Sequence, residues 1–218
     1  MKSPSYRAKP FFILTGILPI FASTIGIAIY IRSNKFEQLP YLAEVMTSNI
    51  GCRFYSVIFN IIGWFTIPIY FLVEKILTFK SKNQKRNFID YIRTLIAIVS
   101  FFIVIVFSTT IIARNKKFYE MSGIAYSILF TIYFVLVDLK MTMIKININK
   151  IDLLWDLMLM LNTSSILFYR KFLFGYDDVS INSYKLMEYF MVPFLFLKFI
   201  MLYKRLPSFS IIIENKNK

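Results

Sequence analysis

The sequence predicts an all-α, polytopic membrane protein, a bundle of about six transmembrane helices. Three observations carry that expectation. The chain of 218 residues is 57% hydrophobic and 18% aromatic, with a mean hydropathy of +0.61, well above the apolar share of a soluble domain. Its apolar residues fall into runs of about 20, the length that crosses a bilayer as a helix. Its Lys and Arg residues gather in the short polar gaps between those runs, which is how membrane proteins fix their orientation. A balance of 26 Lys and Arg against 12 Asp and Glu would suggest nucleic acid in a soluble protein. Distributed in this way it does not, and no nucleic-acid partner is expected.

Nothing resembles a Gly/Ser- or Pro-rich linker, so residues 1–218 read as a single membrane domain. The first span, about 11–31, is too long for a signal peptide and lacks a small-x-small cleavage site before Arg32. It therefore reads as a retained helix. The second and third spans, about 54–73 and 92–112, are equally plain. Pro19 and Pro68 lie inside the first two, where neighbouring helices can re-satisfy the freed carbonyls. Asn60 and Gly63 offer another helix a small, polar contact surface. The second half is weaker. The fourth span, about 122–138, is short; the fifth, about 153–168, contains Asp156 and Asn162; the sixth, about 186–203, contains Glu188 and Lys198. Short spans suit a thin, early secretory membrane. The triplet Asn162-Thr163-Ser164 has the glycosylation pattern but falls deep within span five, beyond a transferase.

Six crossings put both termini on one side. With the second loop region (Lys75 to Arg93) and the fourth (Lys140 to Lys150), that side carries sixteen Lys and Arg against nine opposite, so the termini are expected to be cytosolic.

Several chemistries are excluded at once. Cys52 is the only cysteine and there is no histidine. That removes an internal disulfide, a zinc cluster, a Ser-His-Asp triad and any imidazole base. No metal or cofactor is expected, no residue is singled out as catalytic, and whether the chain is an enzyme stays open.

An ionisable residue within a span is costly, so it normally has a partner. Asp156 lies about one turn into span five from the cytosolic end, and Lys198 lies at similar depth in the antiparallel span six. A structural ion pair between them is expected, the alternative being that Lys198 snorkels to the headgroups. On the opposite side Glu188 and Arg53 sit near the ends of spans six and two, with Glu44, Glu120, Asp177 and Asp178 nearby. Such a cluster can position a lipid headgroup or hold a general base. Ordinary solvated loop charge is the alternative.

Four segments carry a family likeness: LPYLAEV (39–45), CRFYSVIFNI (52–61), FSTTIIARNKKFYEMSGIAYSILFTIYF (107–134) and ILFYRKFLFGYDDVSINSYKLMEYFMV (166–192). In order and spacing they resemble the Frag/DRAM/Sfk family, whose branches include factors acting after GPI attachment to proteins and the N-terminal part of the yeast Cwh-type lipid remodelling protein. The likeness spans nearly the whole chain and is nearest to the post-GPI-attachment branch, through Tyr169-Arg170 and Met187-Glu188-Tyr189. The family commonly carries a histidine before span four, where this chain has Phe118-Tyr119-Glu120.

The resemblance implies lipid remodelling of GPI-anchored proteins, with membrane lipid and those proteins as partners. It also implies a Golgi or ER membrane ahead of a lysosomal or plasma membrane. In this reading Arg53 would contact a lipid phosphate through its planar fork of donors. Glu188 would orient that phosphate or a lipid hydroxyl, and Glu44 belongs to the same headgroup-binding set. Two other readings exist. One is a non-enzymatic membrane adaptor of the autophagy or lipid-kinase-regulating type, acting through the basic loop KILTFKSKNQKRNFID (75–90). The other is a transporter using the intramembrane Asp and Lys, for which no internal repeat or row of polar pore residues is found.

Overall fold

The computed structural model describes residues 5–7, 9–34, 40–48, 51–81, 87–112, 116–144, 146, 148–168, 178–205 and 210–212. Its helices are α1 (Lys9–Asn34), α2 (Leu42–Thr47), α3 (Gly51–Lys80), α4 (Phe88–Ile112), α5 (Lys116–Met143), α6 (Lys150–Phe168) and α7 (Asp178–Arg205). Two short strands, β1 (Ser5–Arg7) and β2 (Ser210–Ile212), flank them. All the helices except α2 contain a stretch long and apolar enough to cross a bilayer, six in number. The chain is thus a multi-pass membrane protein with an all-α bundle.

The helices run past the apolar windows that predict them. The fourth span opens at Ser122 in the sequence, yet α5 begins at Lys116 and ends at Met143, beyond Asp138. Hydropathy marks the part of a helix that suits lipid, whereas the backbone stays helical until its end groups find other partners. At the start of α4 the Asn87 N–H donates to Asp90 Oδ2 at 3.0 Å while the Asp90 N–H donates to the Asn87 carbonyl at 2.9 Å. That reciprocal cap sets the helix start four residues before the apolar run.

The six long helices form a ring in chain order, with α1 on α3, α3 on α4, α4 on α5, α5 on α6, α6 on α7, and α7 closing on α1. Lipid is as apolar as leucine, so close packing rather than hydrophobic burial holds such a ring together. Two glycines permit the approach. A Cβ on Gly16 would lie 2.6 Å from Ile200 Cγ1 and 3.0 Å from the Phe196 carbonyl oxygen, so α1 meets α7 there. A Cβ on Gly26 would lie 2.0 Å from Tyr55 Oη, which donates to the Ser23 carbonyl at 3.2 Å and ties α3 to α1. Asn60 takes up the helix contact expected of it: its Oδ1 accepts the Ser108 hydroxyl of α4 at 3.1 Å. Aromatic rings fill the middle. Phe130 and Phe134 of α5 each meet Phe199 of α7 edge-on at 5.2 Å, and Tyr70 of α3 meets Tyr133 of α5 at 4.8 Å. Each such pair contributes about 0.5–1.5 kcal/mol beyond its burial. Large apolar side chains such as Phe21, Trp64, Phe102 and Leu161 point outward instead.

Pro19, Pro68 and Pro193 all lie inside helices. The strands β1 and β2 pair antiparallel, Ser5 opposite Ile212 and Arg7 opposite Ser210. The two strands that flank the bundle therefore lie on one side of it, as an even number of crossings requires.

Candidate functional site

Opposite the termini, the short helix α2 lies across the mouth of the ring and touches α1, α3, α4, α5 and α7. Leu42, Val45 and Met46 are buried beneath it. A helix of six residues gains little from its own hydrogen bonds and must be held from outside. Its first N–H groups have no intrahelical acceptor, and two carboxylates supply one each. Glu44 Oε2 accepts the Tyr41 N–H at 3.2 Å, and Glu188 Oε2 reaches from α7 to accept the Leu42 N–H at 3.1 Å. Tyr189 adds a second tether from α7, donating its hydroxyl to the Pro40 carbonyl at 2.7 Å. Lys185 is buried with its ammonium 4.8 Å from the centre of the Tyr41 ring. At the far end Ser48 Oγ accepts the Gly51 N–H at 3.0 Å, turning the chain directly into α3.

Beneath α2 lies a small chamber of about 90 Å³, walled by α3 to α7 and roofed by Leu42 and Met46. Phe59, Phe107 and Phe196 make its wall mostly apolar, and Glu188 stands at its edge. The Tyr126 hydroxyl on this wall is buried with no hydrogen-bond partner among the described residues. Two aliphatic hydroxyls on the wall bond to carbonyls of their own helices. Ser127 Oγ donates to the Gly123 carbonyl at 2.9 Å and Thr163 Oγ1 to the Leu159 carbonyl at 2.8 Å.

The structure thus joins Glu188 and Glu44 at one feature, the start of α2, through contacts to backbone N–H groups. Arg53 stands apart: it is exposed at the head of α3 and does not line the chamber. The side chains of Glu120, Asp177 and Asp178 lie outside the described residues, as does the centre of the basic loop, 82–86. Among the described residues no group of three His, Cys, Asp or Glu side chains could hold a metal ion.

At the other end of the ring, charge is buried in two linked sets. Lys198 of α7 contacts Asp156 of α6, and it also donates to Asp138 Oδ2 of α5 at 2.7 Å. Arg205 donates to the other oxygen of Asp138 at 2.7 Å and pairs with Asp152. In the second set Arg93 forks onto Glu74, Nε to Oε1 at 2.6 Å and Nη2 to Oε2 at 2.9 Å. Asp90 forms an ion pair with Arg93 Nη1 at 3.1 Å and accepts a hydrogen bond from Lys140 Nζ at 2.9 Å. Arg93 and Lys140 are each 1% exposed, so the sequence count that treated them as loop cations needs correcting. They are helical residues inside ion pairs. Asp138, which the sequence shows only as the end of span four, is the hub of the first set.

The arrangement makes Glu188 the anchor whose loss should free α2. Hydrogen bonds to a charged group contribute about 1.5–3 kcal/mol, which corresponds to roughly ten- to a hundred-fold in an opening equilibrium. Cys52, 4% exposed and bonded through its N–H to the Ser48 carbonyl at 2.8 Å, is a built-in reporter. Glu188→Ala should raise its labelling rate with a water-soluble maleimide by about that factor, and Glu188→Gln by less, since an amide oxygen can still accept. Equal rates in all three proteins would remove Glu188 as the anchor.

No family model, curated protein or solved structure matches this chain.

Proposed function

We propose that the chain handles membrane lipid at the end of the ring covered by α2, in the lipid remodelling of GPI-anchored proteins in the Golgi or ER membrane. The observation that supports this best is the mostly apolar chamber of about 90 Å³ with Glu188 at its edge. A hydrocarbon end suits such a space, and a carboxylate beside it accepts a hydroxyl or amine of the headgroup. Arg53, at the head of α3 on the same end of the bundle, offers its guanidinium to lipid phosphate. In this reading the α2 end faces the lumen and both termini are cytosolic, the orientation that the Lys and Arg distribution favours. On the chamber wall Ser127 and Thr163 both donate to carbonyls of their own helices.

The test is deletion of the gene with mass spectrometry of the lipid carried by surface GPI-anchored proteins. Deletion should change that lipid and the unaltered chain should restore it. Ser127→Phe, which fills the chamber, should fail to restore it at normal abundance, and Arg53→Ala should restore it only in part. An unchanged anchor lipid in the deletion strain would end this reading.

A further inference from the structure

A second cavity lies on the outer face of the ring, at the end that carries the termini. It is a cleft of about 920 Å³ between α3 and α4, within the size range of ligand sites. Its lining changes character along its length. Toward the 81–87 connection stand Glu74, Lys75, Thr78, Asp90 and Thr94. Deeper in the spans the wall is Phe71, Ala97, Ile98 and Phe102, and Ala97 is the small, buried residue among larger ones. Both parts lie within the membrane-crossing stretches of α3 and α4, so a soluble molecule would fill only the polar half. An amphiphile fills both.

The charges select its headgroup. Glu74 and Asp90 line the cleft but are held from behind, Glu74 by Arg93 and Asp90 by Arg93 and Lys140. Lys75 is the third cation, exposed at the mouth with its ammonium 4.7 Å from the centre of the Phe71 ring. With Arg93 and Lys140 behind the lining neutralising Glu74 and Asp90, the five charged side chains carry one positive charge in excess, and Lys75 is the one at the surface of the cleft. Tyr91, 60% exposed beside it, is a residue type that sits at the headgroup level of a bilayer.

We infer that this cleft holds one anionic glycerophospholipid, its phosphate at Lys75 and one acyl chain along Phe71, Ile98 and Phe102. The site belongs to the leaflet on the side of the termini and does not depend on the chamber beneath α2. A lysine near the membrane surface is attracted to anionic lipid.

The full chain, purified in detergent, is titrated with mixed micelles of phosphatidylserine or phosphatidylcholine while its thermal unfolding midpoint is recorded. Phosphatidylserine should raise the midpoint at lower concentration than phosphatidylcholine. Lys75→Glu should weaken the apparent phosphatidylserine affinity by at least about five-fold and abolish the preference. Ile98→Trp, on an exposed position, should blunt the response to both lipids by filling the cleft. Should Lys75→Glu not fold, Lys75→Gln carries the same readout. Equal stabilisation by both lipids, a preference that survives at Lys75→Glu or Lys75→Gln, or the same rise from inorganic phosphate alone would each overturn the assignment.

Discussion

Lys198→Met is expected to leave little folded protein. Lys198 is fully buried, and its ammonium sits between Asp138 of α5 and Asp156 of α6. Methionine matches the stem in volume and leaves the two carboxylates facing each other inside the bundle. Removing one partner of a buried ion pair costs about 3–5 kcal/mol, a large part of a domain's total stability of about 5–15 kcal/mol. The expected measurement is a sharp fall in the monodisperse fraction in mild detergent, with a lowered unfolding midpoint. A second substitution sharpens the test. Adding Asp156→Asn to Lys198→Met should recover part of the loss, since Asp138 retains Arg205 at 2.7 Å and no second charge is stranded. A single variant within about 0.5 kcal/mol of the parent, the range of neutral surface changes, would show that the triad does not hold the bundle.

Arg93→Met should be comparably damaging for a related reason on the other side of the ring. Arg93 takes both oxygens of Glu74 with two of its nitrogens and presents the third to Asp90 at 3.1 Å. The guanidinium is a flat fork that meets a carboxylate with two parallel bonds. Lysine keeps the charge but offers a single ammonium, which cannot face both oxygens of Glu74 and Asp90 together. The midpoint should fall modestly for Arg93→Lys and by the equivalent of about 3–5 kcal/mol for Arg93→Met. Glu74→Gln should cost less than Arg93→Met, because Glu74 is 21% exposed and its oxygens can reach outside the bundle. Identical midpoints for Arg93→Lys and Arg93→Met would mean that the fork geometry is irrelevant.

What the sequence discloses and what it conceals follow from the range over which each signal acts. The six spans were readable because an apolar run of about 20 residues is a local property. The lysine at 198 and the aspartate at 156 could be put at similar depth from span direction alone. The third member, Asp138, could not, because its role depends on α5 lying beside α6 and near α7, and hydropathy carries no information on neighbour order. Arg93 and Lys140 were misread for a related reason: at the end of an apolar run, a cation turned into the bundle looks the same as one turned to water. The stretch 38–57, with Pro40, Glu44 and Arg53, is neither apolar enough for a span nor polar enough for an idle linker. Its helix stayed hidden because six residues are too few to show a helical period, and because the acceptor for the Leu42 N–H arrives from Glu188, 146 residues away. Arg53 shows the limit in the other direction. Sequence position put it at the correct end of the bundle, but only coordinates reveal that it points outward while Glu188 points to α2.

The ring closes through its last helix, and this sets an order on manufacture. A ribosome releases α7 after every other long helix, yet α7 brings Lys198 and Arg205, the cations that face Asp138, Asp152 and Asp156. It also brings the Glu188 carboxylate for α2 and the surface that meets α1. A nascent chain halted before residue 178 therefore holds five long helices in the bilayer with acidic side chains awaiting their counter-charges. Premature stops late in the message leave that half-neutralised species behind, with Asp138, Asp152 and Asp156 lacking the cations of the last helix.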